Sequence, residues 1–220
     1  MVHLRIADKF LDELKDIDET AFVLGNIAPD SGVPNEDWSV FTPPKNVTHF
    51  KTDPSNDGFF DVAEFCRQYF SDDKIRHYSK KEYSFFLGYY VHLLTDIEWT
   101  EKMWEFLSKN YHDEFVNNKS RLVWTAKEDW YDIDFLYLHQ HPDFRAFSIY
   151  ENAVNYDNEF MDIFSRDAFE NRRQYICGYY RSDNHGELFR EYEYLTPEEA
   201  EEFVEVTVRK ILRDNLEKSA

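Results

Sequence analysis

The chain has 220 residues, enough for one domain with a real core, and an aromatic share of 18% excludes a disordered segment. Its formal net charge of −19 repels phosphate backbones and anionic lipid headgroups, which argues against nucleic acid held on a broad basic patch. A metal ion can still bring a single phosphate into such a field.

Gly and Pro number only 6 and 7, too few for the many tight turns of an all-β chain. In chain order, apolar residues three and four apart predict an amphipathic helix over Leu4–Ile17, with His3 at its entry. Asp18 is an N-cap for a second helix through Leu24, ended by Gly25 and Asn26. Ile27-Ala28-Pro29-Asp30 is turn chemistry, in which Asp30 can serve simply as a cap. Residues 31–48 have no period, contain Pro34, Pro43 and Pro44, and form a long loop running up to His49.

Phe59–Phe70 reads as a helix. Ser79-Lys80-Lys81-Glu82 is a capping box opening a long helix from Lys80 to about Asn110. Gly88 in its interior costs about 1 kcal/mol against Ala and points to a close helix–helix approach. Residues 111–140 predict one or two helices with Trp124, Trp130, Ile133, Phe135 and Leu136 in the core, and an aromatic helical pattern continues over Phe144–Phe169 and Arg172–Tyr180. The last helix opens on Thr196-Pro197-Glu198-Glu199 and buries Phe203, Val204, Ile211, Leu212 and Leu216. With no internal repeat, no linker and weak strand alternation, residues 1–220 predict a single all-α multi-helix domain.

Cys66 and Cys177 stand far apart in aromatic sequence and read as small buried hydrophobes. No run approaches the ~18 apolar residues of a membrane span, and Met1–Phe10 has no apolar leader core. The chain therefore reads as cytoplasmic.

The long helix carries an anomaly. In Phe85–Trp99, FFLGYYVHLLTDIEW, His92 and Asp96 are four apart and share one face of an otherwise apolar stretch. A buried carboxylate needs a partner; a metal ion, a base or a His–Asp hydrogen bond inside the core each supplies one. His3, Asp30 and His49 are further polar residues set beside apolar sequence. Three imidazoles and two carboxylates are a donor set of the type zinc prefers.

The segments H-L-R-I-A (His3–Ala7), G-N-I-A-P-D (Gly25–Asp30), T-H-F (Thr48–Phe50) and G-Y-Y-V-H-L-L-T-D (Gly88–Asp96) resemble, in order and rough spacing, the N-terminal half of the zinc-dependent phospholipase C family. That family is related to the fungal single-strand-specific zinc nucleases. The resemblance implies an all-α fold with a polynuclear zinc site in a cleft. Asp30, His49, His92 and Asp96 would hold one zinc, and Asp96 would bridge to a second held by His3. The family's third zinc uses a further His and an H-x-x-x-E pair. This chain has Lys102 where the extra His is sought and no such pair, which leaves His112, Glu114, His139 and His141 as substitutes and a two-zinc site as the expectation.

The activity implied is phosphoester hydrolysis through a water bridging the two ions, with Asp30 as general base. The substrate would be a small phosphoester or a phospholipid headgroup. Two other readings stand beside it: a non-catalytic metal-binding or interaction protein that keeps a relic of the site, and a nuclease-like phosphodiesterase, which the charge disfavours.

Overall fold

The structure, a computed structural model, describes residues 1–37, 39–53 and 59–216. Its elements are α1 (Val2–Glu13), α2 (Glu19–Gly25), a 3-10 turn (Ala28–Asp30), β1 (Val33–Pro34), β2 (Phe41–Thr42), α3 (Lys45–Thr48), α4 (Val62–Tyr69), α5 (Asp72–Ile75), α6 (Lys80–Asn110), α7 (His112–Gln140), α8 (Arg145–Asn152), α9 (Ala168–Tyr180) and α10 (Pro197–Ile211). The fold is all-α. Among the described residues the sheet content is an antiparallel ribbon of β1 and β2, two residues each, inside the predicted loop.

Helix α6 is the axis. Its 31 residues reach about 46 Å at 1.5 Å per residue. The capping box closes as predicted: the Glu82 amide donates to Ser79 Oγ at 3.2 Å and the Ser79 amide donates to the Glu82 carboxylate at 2.8 Å. Helix α2 lies directly on it, and two glycines make that possible. A Cβ at Gly88 would sit 2.1 Å from the Phe22 carbonyl oxygen, and one at Gly25 would sit 2.0 Å from the Phe85 carbonyl oxygen. The two backbones touch, and the turn leaving α2 is laid across α6 near His92.

The core forms on both sides of this crossing. Leu4, Ile6 and Phe10 of α1 pack with Phe22 and Val23 of α2, Leu87 and Val91 of α6, Phe147 and Tyr150 of α8, and Phe203 and Val204 of α10. A second, aromatic core joins Phe65 of α4 to Phe85, Phe86 and Tyr89 of α6 and Phe169 of α9. Phe85 stacks on Phe160 at 4.0 Å and Phe65 on Tyr89 at 5.1 Å. Burying each large apolar side chain contributes about 1.5–3 kcal/mol.

Several boundaries differ from the sequence reading. Helix α1 stops at Glu13 rather than Ile17: Leu14 turns extended and Asp16 is left-handed (φ 58°), which frees Asp18 to cap α2. Helix α4 begins at Val62, because Asp61 accepts from the Glu64 amide at 2.8 Å and fixes the start there. Phe59 is exposed and Phe60 bridges to Lys51. Residues 112–140 are two helical stretches joined at Asn118, whose backbone is non-helical (φ −152°, ψ 46°).

The predicted helix over Phe144–Phe169 is confined to α8. Beyond it Asn155 is left-handed, and the Asn158 amide donates to the carbonyls of Met161 and Phe164 at 2.8 and 2.9 Å. A loop held by one asparagine thus delivers Phe160, Met161 and Phe164 to the core, and apolar spacing alone does not separate such a loop from a helix. Trp124 is 65% exposed rather than buried, whereas Ile133, Phe135 and Leu136 are core residues. The side chain of Leu216 lies outside the described residues. Both cysteines are free thiols, and among the described residues no helix is long and apolar enough to cross a membrane.

Candidate metal centre

The five polar residues singled out in the sequence come from four separate places in the chain and converge. His3 stands in the first turn of α1, Asp30 ends the 3-10 turn after α2, His49 caps α3, and His92 and Asp96 lie one turn apart on α6. His92 is wholly buried at the base and His49 nearly so, while Asp30 and Asp96 keep 24% and 22% of their side-chain surface open. The cluster is therefore a depression with a sealed floor and an open rim.

The Asp96 carboxylate is divided. Oδ1 lies 3.2 Å from His3 Nε2, and Oδ2 lies 3.4 Å from His49 Nε2 and 3.5 Å from His92 Nε2. Asp30 Oδ1 closes the second group, 3.6 Å from His49 Nε2. Ligand-type atoms of His3, His92 and Asp96 all lie within 4.8 Å of one another, and so do those of Asp30, His49 and His92.

Backbone acceptors fix the tautomers. His92 Nδ1 lies 2.8 Å from the Asn26 carbonyl oxygen, which can only accept, so Nδ1 carries the hydrogen and Nε2 turns its lone pair inward. His49 Nδ1 lies 3.1 Å from the Lys45 carbonyl oxygen and 2.9 Å from Thr48 Oγ1, with the same result. The two Nε2 atoms then face each other at 3.4 Å. Facing lone pairs repel unless a proton or a cation lies between them. His3 stacks on His92 with ring centres 3.8 Å apart and leaves its buried Nδ1 without a partner.

The electrostatics follow from this packing. Burial drives the His49 pKa down to about 3 despite Asp96 and Asp30. Burial and the neighbouring His92 lower that of His3. Burial also opposes a charge on His92, but Asp96 and Asp30 outweigh it and raise the pKa. Burial opposes ionisation of Asp96, yet His92 and His3 hold its carboxyl well below the usual carboxylate range. Asp30 stays ionised against its own burial chiefly because the Lys45 ammonium lies 3.1 Å away. Ionised carboxylates beside imidazoles whose Nε2 atoms face inward fit a divalent cation, and the N and O donors suit zinc.

Lys45 is a site residue the sequence reading passed over. Its position four before His49 on a helix, with the carbonyl that His49 needs, is the local signal that marks it. The substitute third-metal ligands are not brought in. His112, Glu114, His139 and His141 are exposed, and among the described residues they join no metal-ligand group.

The family model of zinc dependent phospholipase C matches residues 2–99, a little under half of the chain. No curated protein and no solved structure is significantly similar to the chain. The matched segment contains all five converging residues, so family and site chemistry together point to a metal-dependent hydrolase.

Proposed function

We propose that the chain is a zinc-dependent phosphoric ester hydrolase of the phospholipase C type, one domain over residues 1–220. Asp30, His49, His92 and Asp96 would hold one zinc ion, and Asp96 and His3 would hold a second. The observation that supports this reading is the division of the Asp96 carboxylate, with one oxygen turned to His3 and the other to His49 and His92. Bound zinc would supply Lewis acidity toward phosphoryl oxygens and would lower the pKa of a coordinated water to about 7.

The chain's own residues supply orientation and a base. The Asn26 and Lys45 carbonyls hold the His92 and His49 rings in register, and the stacked His3 ring stiffens the opposite wall. Asp30, ionised and at the open rim, is the general base that takes the proton from the attacking water. The sealed floor under His92 keeps bulk water from one side, so the substrate enters over Asp30 and Asp96. That substrate is a small phosphoester or a phospholipid headgroup. Two free thiols, Cys66 and Cys177, suit a reducing, cytoplasmic setting.

The test is elemental analysis of protein purified without chelator, combined with hydrolysis of a chromogenic phosphodiester. Bound zinc and a turnover that chelator abolishes and zinc restores are expected. Zinc-loaded protein inert toward every phosphoester would overturn the enzyme and leave a metal-binding protein. Salt-independent cleavage of single-stranded DNA would move the activity to a nuclease.

A further inference from the structure

Among the described residues, Asp16, Phe50 and Asn155 carry a side chain on a left-handed backbone. Asp and Asn tolerate that conformation because a short polar side chain can bond locally. A bulky Phe does not, so the φ of 51° at Phe50 is held against the residue's own preference. Phe50 follows His49 directly, in the turn that ends α3. There the Lys51 amide donates to the Asn46 carbonyl at 2.8 Å and the Phe50 amide to the Val47 carbonyl at 3.3 Å. This pair of bonds is a Schellman closure, whose left-handed position is ordinarily glycine.

The ring accounts for the exception. Phe50 meets three aromatic neighbours edge to face: Phe65 of α4 at 5.4 Å, Tyr69 of α4 at 6.1 Å and Tyr89 of α6 at 6.3 Å. Ring quadrupoles favour that geometry. On the backbone, the Phe50 carbonyl accepts from the Asp61 amide at 2.7 Å, at the entry to α4. Glycine would form the same turn without strain but would have no ring to set into this wall. The helix that the turn closes needs such an anchor. Helix α3 is a single turn of four residues, far below the length at which a helix holds by itself. His49, its C-cap, is 3% exposed, and its Nδ1 relies on the Lys45 carbonyl 3.1 Å away. A frayed α3 would lose that bond and the placement of the imidazole with it.

We propose that Phe50 is a positioning residue for the metal centre. Its ring, docked against Phe65, Tyr69 and Tyr89, holds the left-handed turn closed, and the closed turn keeps His49 Nε2 directed at Asp96 and His92. One strained residue thereby fixes a ligand that a relaxed turn would leave loose. Phe50 acts through His49 rather than on the metal or the substrate. Its bearing on metal affinity rests on the metal-centre reading; the anchoring of the turn does not.

The experiment compares the full chain with its Phe50→Gly, Phe50→Leu and Phe50→Tyr variants, and uses Asn155→Gly as a left-handed control outside the cluster. Zinc Kd is read by competition with a chromophoric chelator, and exchange of the Lys51 amide by NMR in metal-free protein. Phe50→Gly is the decisive variant, because glycine forms the turn most easily and lacks the ring. It is expected to raise the zinc Kd about tenfold and to speed Lys51 exchange about tenfold, with circular dichroism unchanged. Phe50→Leu, which keeps apolar bulk and strain without the ring, is expected to move both readouts the same way, and serves should the Gly variant fail to fold. Phe50→Tyr is expected to restore the parent values and Asn155→Gly to leave them unaltered. Phe50→Gly protein that binds zinc as tightly as the parent would overturn the positioning role, and so would an equal loss in Asn155→Gly. A parent that binds no zinc, yet loses Lys51 protection in Phe50→Gly, keeps the anchored turn but removes the metal centre and any role toward it. Zinc binding indifferent to every Phe50 variant keeps the metal centre and removes the anchor.

Discussion

His92 donates its Nδ1 hydrogen to the Asn26 carbonyl oxygen at 2.8 Å, and this bond ties the deepest imidazole of the site to the turn that ends in Asp30. It forms only because α2 and α6 are in backbone contact. Gly88, one turn before His92, leaves no room for a side chain: its Cβ would meet the Phe22 carbonyl at 2.1 Å and the Asn26 amide at 2.8 Å. Gly88→Ala is therefore expected to force the helices apart and destabilise the fold by about 1–3 kcal/mol or more. Bound zinc should fall with it. Urea denaturation and metal content of the purified variant are the measurements; a variant as stable as the parent and fully metallated would contradict the close crossing.

The divided carboxylate of Asp96 sets up a stoichiometric prediction. If its two oxygens serve two ions, Asp96→Asn weakens both, His3→Ala loses the ion on the Oδ1 side, and His49→Ala loses the ion on the Oδ2 side. Elemental analysis should give about one zinc equivalent fewer in either His variant than in the parent, and the lowest content in Asp96→Asn. Equal losses in His3→Ala and Asp96→Asn would mean a single-ion site.

Much of this was readable in the sequence where the signal is local. Ser79 and Glu82, and Thr196 and Glu199, close their capping boxes within four residues, and Gly88 announces a close approach because nothing else excuses glycine in a helix of that length. The five cluster residues stand out because each is polar among apolar neighbours. What sequence could not supply is non-local. Asn26 acts through a backbone carbonyl, which any residue carries. The loop over 153–167 imitates a helix because its aromatics fill the same core that a helix would have filled.

A prediction for α3 follows from Tyr89. Its hydroxyl donates to the Thr48 carbonyl, and its ring is sandwiched within the aromatic core by Phe65. The bond fastens the four-residue helix that presents Lys45 and His49 to the long helix that presents His92. Tyr89→Phe keeps the stack but leaves a buried carbonyl without its donor, at a cost of about 1–3 kcal/mol. Urea denaturation should show that loss. Zinc affinity by competition with a chromophoric chelator should fall in Tyr89→Phe, because His49 is no longer held in place. An unchanged affinity would show that α3 is positioned by the ribbon and the Pro44 turn alone.

Glu170 offers a test of pH dependence outside the set of metal-ligating residues. It accepts from Arg173 Nε at 2.9 Å and Nη2 at 2.6 Å, and from the Asn155 amide at 2.9 Å, while Arg173 Nη1 donates to the Glu151 carbonyl at 2.8 Å. One ion pair thereby joins α9 to the end of α8 and to the left-handed turn that starts the core-filling loop. The Arg173 guanidinium, acting against the burial of the carboxyl, brings the Glu170 pKa from 4.5 down to about 2. A carboxylate with a depressed folded-state pKa stabilises the fold above its unfolded value, and the stabilisation is lost as pH falls through the folded value. The pair's contribution should therefore be complete above about pH 5 and drain away between about pH 4.5 and 2, with a magnitude on the order of 2–3 kcal/mol. Glu170→Gln should accordingly be less stable than the parent at pH 7, and the gap should narrow as the pH is lowered to 3. Paired urea titrations across that range read the difference directly, and cancel the other carboxylates that titrate in the same window. A gap that stays constant with pH would show that Glu170 acts through its packing and neutral hydrogen bonds rather than through its charge.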